Sequence, residues 1–303
     1  MLPSEKRKTI GDLSQEIILA YGSPKIGKST FFSYFPDALF ISTEPGLNHL
    51  EVFEQPVKEW MQFVETIREL EANPTQFKTV VIDTIDNLYL FCQDYIYKIN
   101  GIKHESDMEW GRGWKEVDSE FRRVVTRLAQ MRTMGLCFVS HSEEKESRVR
   151  GKKESTVKVA HTLPNRARKV INPMADMILY FGLDENGDRV IHTKETNEYE
   201  AGDRTGNLPD MLPLNYEAFL SAYYGSNGNQ DAAKDKLIKQ IQTGLEHLAT
   251  AKIDNFETPK RAVNSMETHL KVTNLQDATL PALQSYLQHL RSKARTHKNG
   301  DKK

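Results

Sequence analysis

A chain of 303 residues with 38% hydrophobic and 27% charged residues can bury a sizeable core, which excludes a disordered or collagen-like polymer. Its formal net charge of -1 gives no global attraction for polyanions, so any nucleic-acid site must be a local concentration of cations. The two cysteines, Cys92 and Cys137, sit in apolar surroundings, and no apolar run approaches the roughly 20 residues of a membrane span, so neither a disulfide framework, a zinc site nor a membrane segment is expected.

The first residues, "MLPSEKRKTIGDLSQ", lack the apolar centre of a signal peptide, and a cytoplasmic protein is expected. Short apolar runs then recur: "EIILAYG" (16–22), "ALFISTE" (38–44), "TVVIDTID" (79–86), "GLCFVSH" (135–141) and "MADMILYFG" (174–182). They are rich in β-branched and aromatic residues and have the length of buried strands. Segments with helical spacing lie between them, as in "VKEWMQFVETIRELEAN" (57–73) and "WKEVDSEFRRVVTRLAQMRTMG" (114–135). This alternation predicts an α/β fold with a mainly parallel sheet covered by helices on both faces. One further strand and turn, at the sheet edge, is expected in 188–202.

Beyond residue 225 the character changes. A core over 1–225, a linker over 226–235 containing "SNGNQ", a small helical domain over 236–296 and a disordered tail over 297–303 are expected. Leu237, Ile238, Ile241, Leu245 and Leu248 share one helical face, and a second helix opens with Thr258 as N-cap and Pro259 at its first position. A third helix, about 280–292, carries Leu283, Leu287 and Leu290. From 231 onward 13 Lys and Arg face 8 Asp and Glu, so the preceding part is acidic.

The stretch "GSPKIGKS", Gly22 to Ser29, fits G-x-x-x-x-G-K-[ST] between a strand and a helix. Its glycines let successive backbone N–H groups turn toward phosphate oxygens. Gly22, Ser23, Pro24, Lys25, Ile26, Gly27, Lys28, Ser29 and Thr30 form the candidate ATP cradle. Lys28 would reach the β- and γ-phosphates and the Ser29 hydroxyl would ligate Mg²⁺. Asp83, at the end of "VVID", is the candidate second metal ligand; an acid after a strand is otherwise an ordinary helix cap, the reading given to Asp86. Glu44 ends the second apolar run, where ligands gather in such sheets, and is the candidate base; the competing reading is a turn acid before Pro45-Gly46. Ser140 and His141 end another strand, and His141 is the candidate γ-phosphate sensor.

Together with "FISTEPGL", "VVIDTIDNL", "GRGWKEV", "FVSHSEEKE" and "YEAGDRTGNLP", the loop makes residues 10–220 resemble the RecA-like P-loop NTPase core. The closest resemblance is to the phage proteins of the Sak single-strand-annealing group. It implies an ATP- and Mg²⁺-dependent ATPase in which Glu44 is the catalytic base and Ser140-His141 stand where RecA has a polar amide pair. It also implies a homo-oligomer, filament or ring, with a neighbour's cation completing the ATP site; Lys194 and Arg204 are the candidates.

Two DNA loops are implied as well. The first matches residues 100–114, where Trp110 and Trp114 could stack on bases, a core role being the equal alternative for Trp114 at the start of a helix. The second starts after His141, where the sequence itself speaks: Arg148, Arg150, Lys152, Lys153, Lys158, Arg166, Arg168 and Lys169 face a single acid, Glu154, between 147 and 170. A solvated surface loop is the plain alternative. The expected function is single-stranded-DNA binding with annealing or strand exchange. A helicase or translocase motor and a nucleotide-regulated interaction protein stay open, with the C-terminal helices as the surface for a single-strand-binding or other replication protein.

Overall fold

The computed structural model of the chain describes residues 12–148, 155–206, 208–225, 230–251, 253, 259–272, 274–279, 282–283, 285–287, 289–291 and 293–294. It divides into two compact units, Met1–Tyr216 and Glu217–Lys303. In chain order the elements are β1 (Ile17–Gly22), α1 (Lys28–Ser33), β2 (Ala38–Ser42), β3 (Phe53–Pro56), α2 (Trp60–Ala72), β4 (Thr79–Asp83), α3 (Ile85–Asn100), α4 (Arg112–Gln130), β5 (Gly135–Arg148), β6 (Ser155–His161) and α5 (Asn165–Met174). They continue with β7 (Met177–Leu183), β8 (Arg189–His192), β9 (Gly202–Asp203), β10 (Met211–Pro213), α6 (Tyr216–Gly225), α7 (Gln230–Thr250) and α8 (Pro259–Leu270).

The expected α/β core is present: one sheet in the order β10-β8-β7-β1-β5-β4-β2-β3, with β6 on β5 and β9 on β7. Strands β1, β2, β3, β4, β5 and β7 are parallel. Strands β2 and β4 are buried at every position and β1 at all but its first, because both sheet faces are covered there. On one face Leu19, Ile41, Ile82 and Phe138 pack with Phe63, Leu88, Phe121 and Ile171 from α2, α3, α4 and α5. Cys92 and Cys137 are free and buried, and burial pushes both thiols up, away from reactivity.

Register positions the site. Strand β5 lies between β1 and β4, with Gly22 opposite His141 and Asp83 opposite Val139, while Ser42 lies opposite Asp83. The carboxyl ends of four strands therefore meet at one edge of the sheet, and the loops that follow them share that edge.

Four expectations change. The strand after Gly135 does not stop at His141 but runs to Arg148 and folds back antiparallel on β6, from Ser142↔His161 to Arg148↔Ser155. The expected second DNA loop is thus a hairpin followed by helix α5, and Arg150, Lys152 and Lys153 lie outside the described residues. The strand in 188–202 is not the edge, because β10 pairs outside β8. Strand β3 and helix α3 were not expected as elements. Residues 230–235, expected as linker, begin α7, and the division of the two units falls at Tyr216 rather than 225. In the second unit Ile238, Ile241, Leu248, Leu283, Leu287 and Leu290 form a separate core with Leu237 and Leu245 packed against it. Thr258 lies outside the described residues.

Candidate functional site

The loop from Gly22 to Gly27 is pressed onto its neighbours, and this explains its glycines. A Cβ on Gly22 would lie 2.4 Å from the Phe181 carbonyl oxygen of β7, so no side chain fits there. Gly27 has φ of 118°, and Lys25, at φ 65°, turns the same stretch into the left-handed region. Such turns aim consecutive N–H groups into one concavity suited to an anion. Lys28 is buried, and its Nζ donates to the carbonyl oxygens of Gly22 at 2.7 Å and Ser23 at 3.0 Å. The ammonium thus lies across the mouth of the loop.

Ser29 Oγ donates to Asp83 Oδ2 at 2.6 Å, although 54 residues separate them. Burial pushes the Asp83 carboxyl up, with the Ser29 bond, Lys28 and His141 acting in the opposite direction. A hydroxyl oxygen in contact with a carboxylate that a cation would stabilise is a hard oxygen donor pair of the kind Mg²⁺ takes. Among the described residues no cluster of three His, Cys, Asp or Glu could hold a metal alone, so nucleotide and water would complete the coordination. The residues present fit a Mg²⁺-nucleotide.

Glu44 follows β2, where Thr43 is fastened to the end of β4: its backbone N–H donates to the Asp83 carbonyl at 2.8 Å, and its Oγ1 accepts from the Thr84 N–H at 2.8 Å. Asn87 Nδ2 donates to Glu44 Oε2 at 3.1 Å, and Glu44 Oε1 lies 3.4 Å from His141 Nε2. Both side chains are about one third exposed, so water can reach the pair. Lys28, Ser29, Glu44, Asp83 and His141, read from four separate segments, are brought together.

Asp86 is not a helix cap. Its Oδ1 accepts from Ser140 Oγ at 3.0 Å and Thr162 Oγ1 at 2.5 Å, and its Oδ2 is buried without a hydrogen bond. Burial pushes this carboxyl up too. Ser140 therefore faces Asp86, and only His141 faces Glu44. Thr162, at the root of the hairpin, also donates its N–H to the His141 carbonyl at 3.1 Å. Neither Thr162 nor Asn87 carried a signal in the sequence, since each acts through a partner more than 40 residues away.

Among the described residues, three of the candidate DNA cations are paired with acids. Lys158 pairs with Glu195. Arg166 pairs with Asp118 at 2.5 Å, and its guanidinium lies 5.9 Å from the Trp114 ring centre. Arg168, only 13% exposed, bonds Glu200 and the carbonyls of Leu163 and His161. Lys169 is exposed on α5 and Arg148 ends β5. Trp110 is 99% exposed and held at φ 58°, whereas Trp114 is half-buried against His104. Lys194 follows β8, which runs away from the phosphate loop, and pairs with Asp210 at 3.0 Å. Arg204, beside β9 at the amino end of β7, pairs with Asp176 at 3.3 Å. Within one protomer neither reaches the loop.

Among the described residues no helix is long and apolar enough to cross a membrane. A family model described as an AAA domain matches residues 14–205. The chain is 25% identical over 218 residues to a SPbeta prophage-derived uncharacterized protein YorG of Bacillus subtilis strain 168, covering 66% of this chain and 63% of that protein. It thus spans under two thirds of that relative. A structural comparison matches a KaiC-like protein of Pyrococcus horikoshii OT3 at 17% identity, covering 59% of this chain and 78% of that one, with a TM-score of 0.34.

Proposed function

This chain belongs to the AAA domain family, and we propose that it is a Mg²⁺-dependent ATP hydrolase acting in phage-type recombination, where it binds single-stranded DNA and promotes annealing or strand exchange as a homo-oligomer. The finer assignment we favour is the Sak group. Hydrolysis is carried by one observation: Lys28, Ser29, Glu44, Asp83 and His141 converge at the carboxyl ends of adjacent strands.

Lys28 exchanges its two carbonyl partners for phosphate oxygens, a charge-assisted and stronger bond. Burial lowers its pKa, while Asp83, Asp86 and Glu44 oppose that shift. Mg²⁺ when bound neutralises charge on the β- and γ-phosphates, and Ser29 Oγ and the Asp83 carboxylate would hold it. Asn87 fixes one oxygen of Glu44, leaving the other to take a proton from the attacking water. His141 lies 3.4 Å from that oxygen and orients it, and would sense the γ-phosphate through a hydrogen bond.

The DNA reading is supported by the basic content of 148–169 and by strand continuity. Strand β5 carries His141 out of the site and directly into the hairpin. The prophage origin of the YorG relative agrees with a phage role. The test is phosphate release from Mg²⁺-ATP with and without labelled single strands at several salt concentrations. We expect Mg²⁺-dependent release, stimulated by DNA that binds with a salt slope. Release without DNA binding would overturn the recombination half, and absence of release would overturn both.

A further inference from the structure

The acids at this site outnumber its cations. Lys28 stands among Asp83, Asp86 and Glu44, all close enough to act on its charge. Resting on the reading of Gly22–Thr30 as a nucleotide cradle, that imbalance raises the question of what else meets the negative charge of a triphosphate.

Arg189 is the group in position. It opens β8, opposite Leu183 on β7, two residues beyond Phe181, the partner of Gly22. This puts it at the carboxyl end of the sheet, level with the loop. Its Nη1 comes within 3.7 Å of where a Cβ on Gly27 would stand, beside Leu214 Cδ2 at 3.3 Å. Its backbone is anchored by buried Val190 and Ile191 and by the Leu214 N–H donating to its carbonyl at 2.9 Å.

The guanidinium itself is uncommitted. Arg112, Arg123, Arg127, Arg166, Arg168 and Arg204 each pair with a carboxylate. Among the described residues none of the hydrogen bonds or ion pairs involves the side chain of Arg189. An exposed guanidinium on a fixed strand, beside a loop whose N–H groups converge, keeps its fork of donors for an arriving anion.

We propose that Arg189 is a second phosphate-binding cation of the nucleotide cradle, supplied in cis from the β7–β8 hairpin. It grips the polyphosphate on the side of Gly27 away from Asp83, whereas Lys194 and Arg204 in the same protomer point elsewhere.

The test is equilibrium binding of Mg²⁺-ATP and competition by inorganic tripolyphosphate, using wild type, Arg189→Gln, Arg189→Lys and, as a surface-cation control, Arg68→Ala. Expected is about tenfold weaker binding of both probes by Arg189→Gln, partial recovery in Arg189→Lys, and no change in the control. Thermal melting without nucleotide reads folding separately and should be unchanged in Arg189→Gln. ATP affinity unchanged in Arg189→Gln would overturn the assignment while leaving the cradle standing. Loss of ATP affinity with tripolyphosphate unaffected would place Arg189 on the adenosine and overturn its role at phosphate. Wild type that binds neither probe would instead sink the nucleotide reading itself.

Discussion

The phosphate loop and the basic stretch after His141 are both rich in cations, yet the fold uses those cations in opposite ways. Lys28 in the loop rests on two backbone carbonyls, and the side chain of Arg189, beside the loop at the start of β8, on nothing among the described residues, so both keep their charge for an incoming anion. In the stretch, Lys158, Arg166 and Arg168 already hold Glu195, Asp118 and Glu200. Those acids lie outside the stretch, so its net charge in the sequence overstates the positive potential it can present. What counts toward polyanion binding is cations less the acids that fold back onto them.

The sharpest way to break this contrast is Lys28→Ala, which should lower ATP hydrolysis on the order of 100- to 1,000-fold, by analogy with losing one preorganised charge-stabilising donor; phosphate release measures it. Arg168→Ala should act on the fold. Removing a largely buried guanidinium leaves Glu200 and two carbonyls without it, and we expect about 3 kcal/mol of lost stability in chemical denaturation. The salt dependence of single-strand binding should stay the same. By contrast, replacing Arg150, Lys152 and Lys153 together with Ala should reduce the slope of log affinity against log salt by about 2. If Arg168 moved that slope and the triple replacement did not, the view that pairing with an acid withdraws a cation from DNA would be wrong.

A smaller effect sharpens the same point at the site. The Asp83 carboxyl is raised by burial, so without metal the folded chain holds that proton more tightly than the unfolded chain. Its contribution therefore falls as pH rises from the ordinary carboxylate range through the raised value, and at neutral pH the buried charge is a cost. Asp83→Asn should raise the melting temperature of metal-free protein at pH 7 by a few degrees, on the order of 1 kcal/mol, and flatten its pH dependence. Asp86 follows the same sign. His161 has the reverse behaviour: burial lowers it to about 3, so the stability tied to its neutral form is present above the usual imidazole range and is lost as pH falls.

How legible each region was follows from how local its physics is. The phosphate loop is fixed within one stretch, by glycines at Gly22 and Gly27 where contact and φ demand them, so its spacing could be read directly. The buried strands announced themselves as continuous apolar runs. Strand β3, "FEQP", is exposed along its whole length and exists through its ladder to β2, so no periodicity marks it. Helix α3 follows Asp83 after one residue, and its buried face of Leu88, Tyr89, Cys92 and Ile96 merges in sequence with the strand's own apolar run. The role of Asp86 was hidden because Ser140 and Thr162, its partners, are 54 and 76 residues away.

On the proposed function, Glu44 at the carboxyl edge of the sheet activates water against a nucleotide held by Lys28. Glu44→Gln keeps the size of the side chain and its bond from Asn87 while removing the base. Phosphate release and Mg²⁺-ATP affinity are measured on this variant beside wild type. Unchanged affinity with release reduced about 100-fold or more is expected; release at the wild-type rate would exclude Glu44 as the base.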